Sequence, residues 1–454
     1  MYDKMILMKT NKEYIKEVTK LTIPIGLQQM ISNIVTIIDN VMVGSIGEAA
    51  MSAVSIGLSF TWLATSISYS FIRGGLIIGA QDYGRNEKER IRKLLSLCIL
   101  ISFGSTFLFF LLCTFNPRFV INLYSSYGNI VDAGVEYLSI FKYSLLFFSI
   151  SETIIVMMQA VKNVKVGFRI SIISCIVNLV LNYLLIYGNF GFPCLGLKGA
   201  AIATLMARIV EMILSLYFLL FEDKKLNFTI KDFRIDVSKD LLKELLLITA
   251  PILIMDLLDN LVSNVQTMIT GRISENYISA NSIVHNSWEL PCVFCRGASS
   301  SASVIIGNSL GRSDFEEAKL DAKRLVFTAL VLGFVCSGLV QIIVNVLIPF
   351  YNVTNETITL AKQMSYACSI NVIFISMTMI INNGIINASG KTNNILKQSI
   401  ISNWFVAIPL GLIGAFVLKV HPAIIYLLLR SGYYVRTVWG LKELKKGEWV
   451  HTIS

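Results

Sequence analysis

The sequence predicts an all-α polytopic membrane protein with twelve transmembrane helices in two six-helix lobes. Of the 454 residues, 54% are apolar and 15% are charged, whereas roughly a quarter of the residues in soluble proteins are charged. Apolar runs of at least about 20 residues, the length that crosses a bilayer, recur from end to end. Short basic clusters separate these runs, and the two halves of the chain resemble each other.

Each apolar run predicts one helix, because a helix satisfies its own backbone hydrogen bonds in lipid. Barrel strands would alternate with a period of two, which these runs do not do. The first half predicts helices over 15–42, 50–79, 89–115, 131–160, 166–187 and 197–221. A charged loop over 222–240 follows, and the second half predicts helices over 241–269, 277–306, 317–348, 357–387, 394–418 and 421–441.

The distribution of basic residues predicts the topology. The N-terminal segment and alternate loops carry 28 Lys and Arg, whereas the opposite loops carry five. Since basic loops stay in the cytoplasm, both termini are expected inside a multi-pass protein of the plasma or inner membrane. The first 20 residues contain five lysines and precede a run too long for a cleaved signal peptide. The net charge of +10 is therefore explained by the basic residues of the loops on the cytoplasmic side, and no nucleic-acid partner is expected.

An internal repeat relates the two halves at a displacement of 227 residues. The aligned pairs are Thr22 with Thr249, Pro24 with Pro251, Asn33 with Asn260, Gly44 with Gly271, Gly84 with Gly311 and Arg85 with Arg312, among others. We therefore predict an N-lobe over 1–221, a cytoplasmic linker over 222–240 and a C-lobe with a short basic tail over 241–454. Parallel repeats of this kind, related by an axis along the membrane normal, are typical of transporters that open alternately to each side.

Acidic residues inside the apolar runs are the first candidates for function, because charge is costly at membrane depth. Asp39 lies in the first predicted helix, Glu152 in the fourth and Glu289 in the eighth. Asp256 and Asp259 are three residues apart in the seventh predicted helix, so they share a helix face. Two neighbouring carboxylates cannot both ionise without a cost in free energy. Each could hold H⁺, Na⁺ or a cationic substrate, and the alternative is a structural role beside a polar neighbour.

Amides and basic residues at similar depth complete the candidate set. Asn178 and Asn182 are four apart on one face of the fifth predicted helix, where their oxygens could bind Na⁺ or their amides could bond an acid. Arg208 and Glu211 are three apart, which favours an intrahelical pair. The remaining basic residues at depth that could pair with the acids are Arg73, Lys142, Arg296 and Arg430.

Several motifs in order carry a family resemblance. "DNVMVGSIG" ends the first predicted helix, "GAQDYGRNEKERIRK" follows the second, and "IGNSLGRSDFEEAK" follows the eighth. The stretch "NLVLNYLLIYGNFGFPCLGLKGAAIAT" and "NNGIINASGKTN" complete the set. Over its whole length the chain resembles the multidrug and toxic compound extrusion (MATE) transporters. The resemblance implies two six-helix lobes and export of amphipathic, often cationic compounds in exchange for Na⁺ or H⁺.

The resemblance also implies roles for N-lobe residues. Asp39 matches an aspartate that lines the N-lobe cavity in the family, Asn178 an asparagine of that site, and Thr204 a threonine of the same cavity. Asn182 falls where some members have a second aspartate, so this chain departs from them.

The C-lobe departs from the family as well. Asp259, eight residues after Pro251, falls where one branch has an ion-binding glutamate, and Asp256 falls where another group has an acid. Some members carry an acid eight residues before the glycine that matches Gly384, but here that position is Ser376.

These observations predict a secondary antiporter. We expect Asp39 and Asp259 to bind the coupling Na⁺ or H⁺, with Asp256, Asn178 and Asn182 beside them, and Thr204, Glu152 and Glu289 to line the substrate cavity. No organic cofactor is expected, and the partners are small-molecule substrates and the lipid bilayer, with the protein a monomer. The alternative is a flippase for a lipid-linked saccharide, although the few scattered deep basic residues disfavour it. Three dispersed histidines and no HExxH motif disfavour an enzyme.

Overall fold

The computed structural model describes residues 10–125, 127–233, 238–351 and 353–453, and all regular structure in them is helical. Eleven helices in this part of the chain are long and apolar enough to cross a bilayer, which confirms the predicted all-α membrane class. They are α1 Asn11–Gly44, α2 Glu48–Gly84, α3 Lys88–Phe115, α4 Gly128–Ala160, α5 Lys165–Tyr187, α6 Gly196–Glu222, α7 Lys239–Gly271, α8 Glu275–Gly311, α9 Phe315–Phe350, α10 Asn355–Ile386 and α11 Thr392–Val417.

The twelfth predicted helix, over 421–441, is observed as two shorter helices, α12 Pro422–Leu429 and α13 Gly432–Lys446. In a continuous helix the Tyr433 N–H would bond the Leu429 carbonyl, but it bonds the Arg430 carbonyl at 3.1 Å. The Leu429 carbonyl instead accepts the side-chain amide of Gln266 at 2.6 Å. Arg430 therefore lies at a break between two helices and not within one.

Side-chain caps define the starts of two helices close to the ends of the predicted apolar runs. Ser274 accepts the Tyr277 N–H at the start of α8, and Asp314 accepts the Glu317 N–H at the start of α9. Such caps satisfy backbone donors that have no partner in the first turn. At the end of α5, Gly188 adopts a left-handed φ of +72°, which glycine reaches without steric cost.

The chain forms two compact units. The N unit comprises residues 27–79 and 86–246, and the C unit comprises the described residues of 10–26, 80–85 and 247–453. Within the N unit, α4 packs on α3 and α6, and α5 packs on α6. Within the C unit, α10 packs on α9 and α12, and α11 packs on α12. Helices six positions apart in the chain thus have equivalent neighbours in the two units.

Two glycines related by the repeat allow a close helix crossing inside the C unit. A Cβ atom on Gly84 would lie 2.3 Å from the Asn308 carbonyl oxygen. A Cβ atom on Gly311 would lie 2.0 Å from the Gln81 carbonyl oxygen. The ends of α2 and α8 therefore approach at backbone distance, as small residues permit between transmembrane helices.

Candidate ion and substrate sites

In the N unit the structure brings together Asp39, Asn178 and Asn182. The Asn182 side-chain amide donates to Asp39 Oδ1 at 2.5 Å and to Asn178 Oδ1 at 3.2 Å. Asn178 and Asn182 are 3% and 1% exposed, whereas Asp39 is half-buried. A membrane-depth carboxylate is thus held by a neutral amide and has no basic residue in hydrogen-bond contact among the described residues.

The contacts of Asp39 with the two asparagines suit a carboxylate that binds and releases a cation. The Asn182 Oδ1 atom is buried and has no hydrogen-bond partner among the described residues. An amide can donate to a carboxylate and can accept from a protonated acid, so Asn182 can serve both states of Asp39. The oxygens of Asp39, Asn178 and Asn182 are also the hard ligands that Na⁺ favours. The arrangement therefore fits either ion chemically.

A second polar cluster in the N unit surrounds Glu211, a 4% exposed residue of α6. Arg208 Nη1 donates to Glu211 Oε2 at 2.7 Å, which confirms the predicted intrahelical pair. The hydroxyls of Ser151 and Ser174 also donate to Glu211, at 3.2 and 3.4 Å. Glu152, half-buried on α4, interacts electrostatically with both Glu211 and Arg208. One arginine thus faces two carboxylates.

One face of α5 joins the two N-unit clusters. Ser174, Asn178 and Asn182 follow at intervals of four residues, and all three are buried. Ser174 bonds Glu211, and Asn182 bonds Asp39. The face therefore carries polar groups over about 12 Å of helix axis. Arg208 pairs directly with Glu211 and also interacts electrostatically with Asp39, without a hydrogen bond between them.

In the C unit Asp259 is held by an arginine. Arg436 Nη2 donates to Asp259 Oδ1 at 2.9 Å, and Arg436 Nη1 donates to Oδ2 at 3.4 Å. Ser399 and Asn403 of α11 donate to the same carboxylate at 2.6 and 2.9 Å. Arg436 Nε donates to the Ser402 hydroxyl at 3.0 Å. The Asp259 carboxylate already has a full cationic charge beside it.

The other predicted residues of the C unit make contacts of their own. On α7, the Asp256 carbonyl accepts the Asn260 side chain one turn before Asp259. Gln266, the repeat counterpart of Asp39, bonds Leu429 at the α12–α13 break. On α8, Arg296 Nη2 donates to Glu289 Oε2 at 2.8 Å. The remaining N-unit candidate, Thr204, is half-buried on α6. The functional roles of Asp256, Glu289 and Thr204 stay predictions.

Sequence reasoning missed Arg436 and the residues Ser399, Ser402 and Asn403 of α11 that complete the Asp259 network. Arg436 lies inside the predicted twelfth helix, so its depth was a readable signal. Its partner Asp259 is 177 residues away, and neither spacing nor hydropathy pairs residues at that distance.

Comparison with known proteins identifies the family. The MatE family model matches residues 24–184 and 251–413, which is more than half of the chain. The chain belongs to the MatE family. The two matched segments start 227 residues apart, at the displacement of the internal repeat, and the family predicted from the motifs is confirmed. MatE proteins are multidrug efflux transporters, and therefore multi-pass membrane proteins that carry small molecules.

Relatives of this MatE chain cover nearly its whole length. The probable multidrug resistance protein YoeA of Bacillus subtilis is 23% identical over 446 residues, covering 93% of this chain and 94% of the relative. The multidrug resistance protein MdtK of Proteus mirabilis is 23% identical, covering 95% of this chain and 94% of the relative.

Solved structures show the same fold. The MATE transporter VcmN of Vibrio cholerae in its bent form superposes with a TM-score of 0.86 at 16% identity, covering 96% of this chain and 97% of that one. A MOP superfamily transporter from Pyrococcus furiosus, described as having reverse polarity of its binding pocket, superposes with a TM-score of 0.85 at 15% identity, covering 95% and 96%. The chain therefore has the fold of MATE transporters.

Proposed function

We propose that this MatE protein is a secondary antiporter that exports amphipathic, cationic small molecules in exchange for Na⁺ or H⁺ by alternating access. The observation that carries the proposal is the contact of Asp39 with the amide of Asn182 inside the N unit. An acid at membrane depth with only neutral direct partners is a candidate cation site. The ion gradient drives export if ion binding and substrate binding stabilise different conformations of the transporter.

We assign the coupling site to Asp39 and a structural role to Asp259. Both were predicted as ion sites, but only Asp259 has a guanidinium in bidentate contact. Adding a cation to an already neutral pair would leave excess positive charge in a membrane-spanning segment, which is costly. The Asn178 and Asn182 oxygens support ion binding at Asp39, and Glu152 with Thr204 supplies polar surface for substrate in the same unit.

The protein is proposed to act as a monomer in the cell membrane, with both termini in the cytoplasm. The support is the asymmetry of basic residues, 28 on one set of loops against five on the other. Small-molecule substrates and the bilayer are then its partners, and no organic cofactor takes part.

An export assay in proteoliposomes tests the assignment. A fluorescent cationic dye is followed under an imposed Na⁺ or H⁺ gradient, which also names the ion. We expect Asp39→Asn to abolish gradient-driven export and Asp259→Asn to retain it. Asp132→Asn is the matched control, because that acid is 66% exposed and pairs with Arg118. Full export by Asp39→Asn at equal reconstitution contradicts the assignment.

A further inference from the structure

Arg430 is a charged group of the C unit that has no acidic side chain in ion-pair contact among the described residues. It lies half-buried at the break between α12 and α13. Its guanidinium carbon sits 3.8 Å from the centre of the Tyr426 ring, so the ring holds the guanidinium in place. No hydrogen bond or ion pair from its guanidinium is found within the described parts of the chain, and its electrostatic neighbours include tyrosines, the Cys368 thiol and His285.

Buried hydroxyls without partners lie around this guanidinium. Tyr277 is fully buried, interacts electrostatically with Arg430, and its hydroxyl has no hydrogen-bond partner among the described residues. Tyr426 is also fully buried, its hydroxyl has no hydrogen-bond partner in the part of the chain that the structure describes, and the Cys368 thiol lies near it. The Ser431 hydroxyl, next in the chain to Arg430, is buried and equally unpaired. Buried hydroxyls normally find partners, so these three are available to donate to a ligand oxygen.

The charge balance of the C unit points to the same missing group. The two other deep arginines there are neutralised, Arg296 by Glu289 and Arg436 by Asp259. Arg430 has no ion-pair partner in the described ranges, and a positive charge in that position of a membrane protein favours an anion next to it. A planar guanidinium with adjacent hydroxyl donors matches the oxygens of a carboxylate or phosphate.

We propose that Arg430, with the hydroxyls of Tyr277 and Tyr426, binds the oxyanion of an amphipathic ligand. The oxyanion comes either from a transported carboxylate or from a phospholipid phosphate. The inference rests on the proposed export function for its biological use, but binding at Arg430 can be measured without transport.

The test compares two dyes that differ in one charge. A rhodamine with a free benzoate and its methyl ester are titrated against the full-length protein in phosphatidylcholine nanodiscs, with fluorescence polarisation as the readout. We expect Arg430→Gln to weaken binding of the benzoate dye by about tenfold and to leave the ester unchanged, because one charge-assisted contact is lost. The matched control is Arg272→Gln, which removes an exposed arginine of the same unit.

Two milder variants keep the test valid if Arg430→Gln does not fold. Arg430→Lys keeps the charge without the planar fork, and Tyr277→Phe removes one hydroxyl. Each is expected to lower the affinity for the benzoate dye but not for the ester. A loss that is equal for the two dyes in every folded variant, together with unchanged lipid retention, overturns the proposal.

A separate experiment tests whether the oxyanion is a phospholipid phosphate. Native mass spectrometry of wild-type protein from phosphatidylglycerol-containing nanodiscs should show retained lipid that Arg430→Gln loses, and that lipid should compete with the benzoate dye. Loss of benzoate-dye binding alone assigns the oxyanion to a transported compound. If wild-type protein exports neither dye under any ion gradient, the proposed function fails, whereas the Arg430 proposal is still decided by the binding titration.

Discussion

The Asp259–Arg436 pair makes a quantitative stability prediction. Removing one partner of a buried ion pair costs about 3–5 kcal/mol, because the other charge is left without compensation. Asp259→Asn strands Arg436, whose side chain is 9% exposed, so we expect a loss of about 3 kcal/mol. Arg436→Gln strands Asp259, whose side chain is 35% exposed and keeps the Ser399 and Asn403 bonds, so about 2 kcal/mol is expected.

The double variant Asp259→Asn/Arg436→Gln separates pairing from other effects. It leaves no net charge, so its cost should fall below the sum of the single costs by about 1–2 kcal/mol. The assay is reversible unfolding in mixed micelles titrated with sodium dodecyl sulfate, with helical circular dichroism as the signal. Additive costs refute the pairing argument, as does a larger loss for Arg436→Gln than for Asp259→Asn.

Three further predictions concern packing, topology and the N-unit site. Gly311→Ala should reduce the yield of folded, monodisperse protein, because its Cβ would clash with the Gln81 carbonyl, while Gly104→Ala, with open space around it, should not; size-exclusion chromatography measures both. Cys194, an exposed cysteine in the α5–α6 turn, should react with a membrane-impermeant maleimide in whole cells, and protection until lysis would contradict the proposed topology. Asn182→Asp adds an acid beside Asp39 and should steepen the dependence of export on ion concentration; an unchanged slope in the proteoliposome assay would exclude a shared ion.

The sequence predicted the helices well because lipid imposes a length and a composition on each span. The predicted runs over 89–115 and 166–187 agree with α3 Lys88–Phe115 and α5 Lys165–Tyr187 to within a residue at either end. Hydropathy could not reveal the break at Arg430, where the Leu429 carbonyl accepts a hydrogen bond from Gln266, 163 residues away.

The candidate sites were predictable only in part. The sequence indicated Asp39 and Asp259 equally, because each is an acid inside an apolar run and a charge at membrane depth has the same free-energy cost in either position. What separates them is the partner, an amide for Asp39 and a guanidinium for Asp259. The family motif pointed to the Asn178–Asn182 face, and the depth of Arg436 could be read from the sequence, but no sequence pattern paired Arg436 with Asp259.

Ion release on substrate binding tests the central claim most directly. Purified protein in weakly buffered solution is mixed with the cationic dye, and a pH indicator or a Na⁺ electrode records the ions released. Because Asp39 is assigned as the coupling site, wild-type protein and Asp259→Asn should release about one ion per dye bound, and Asp39→Asn should release none. Undiminished release from Asp39→Asn, or loss of release in Asp259→Asn with dye binding intact, would contradict the account.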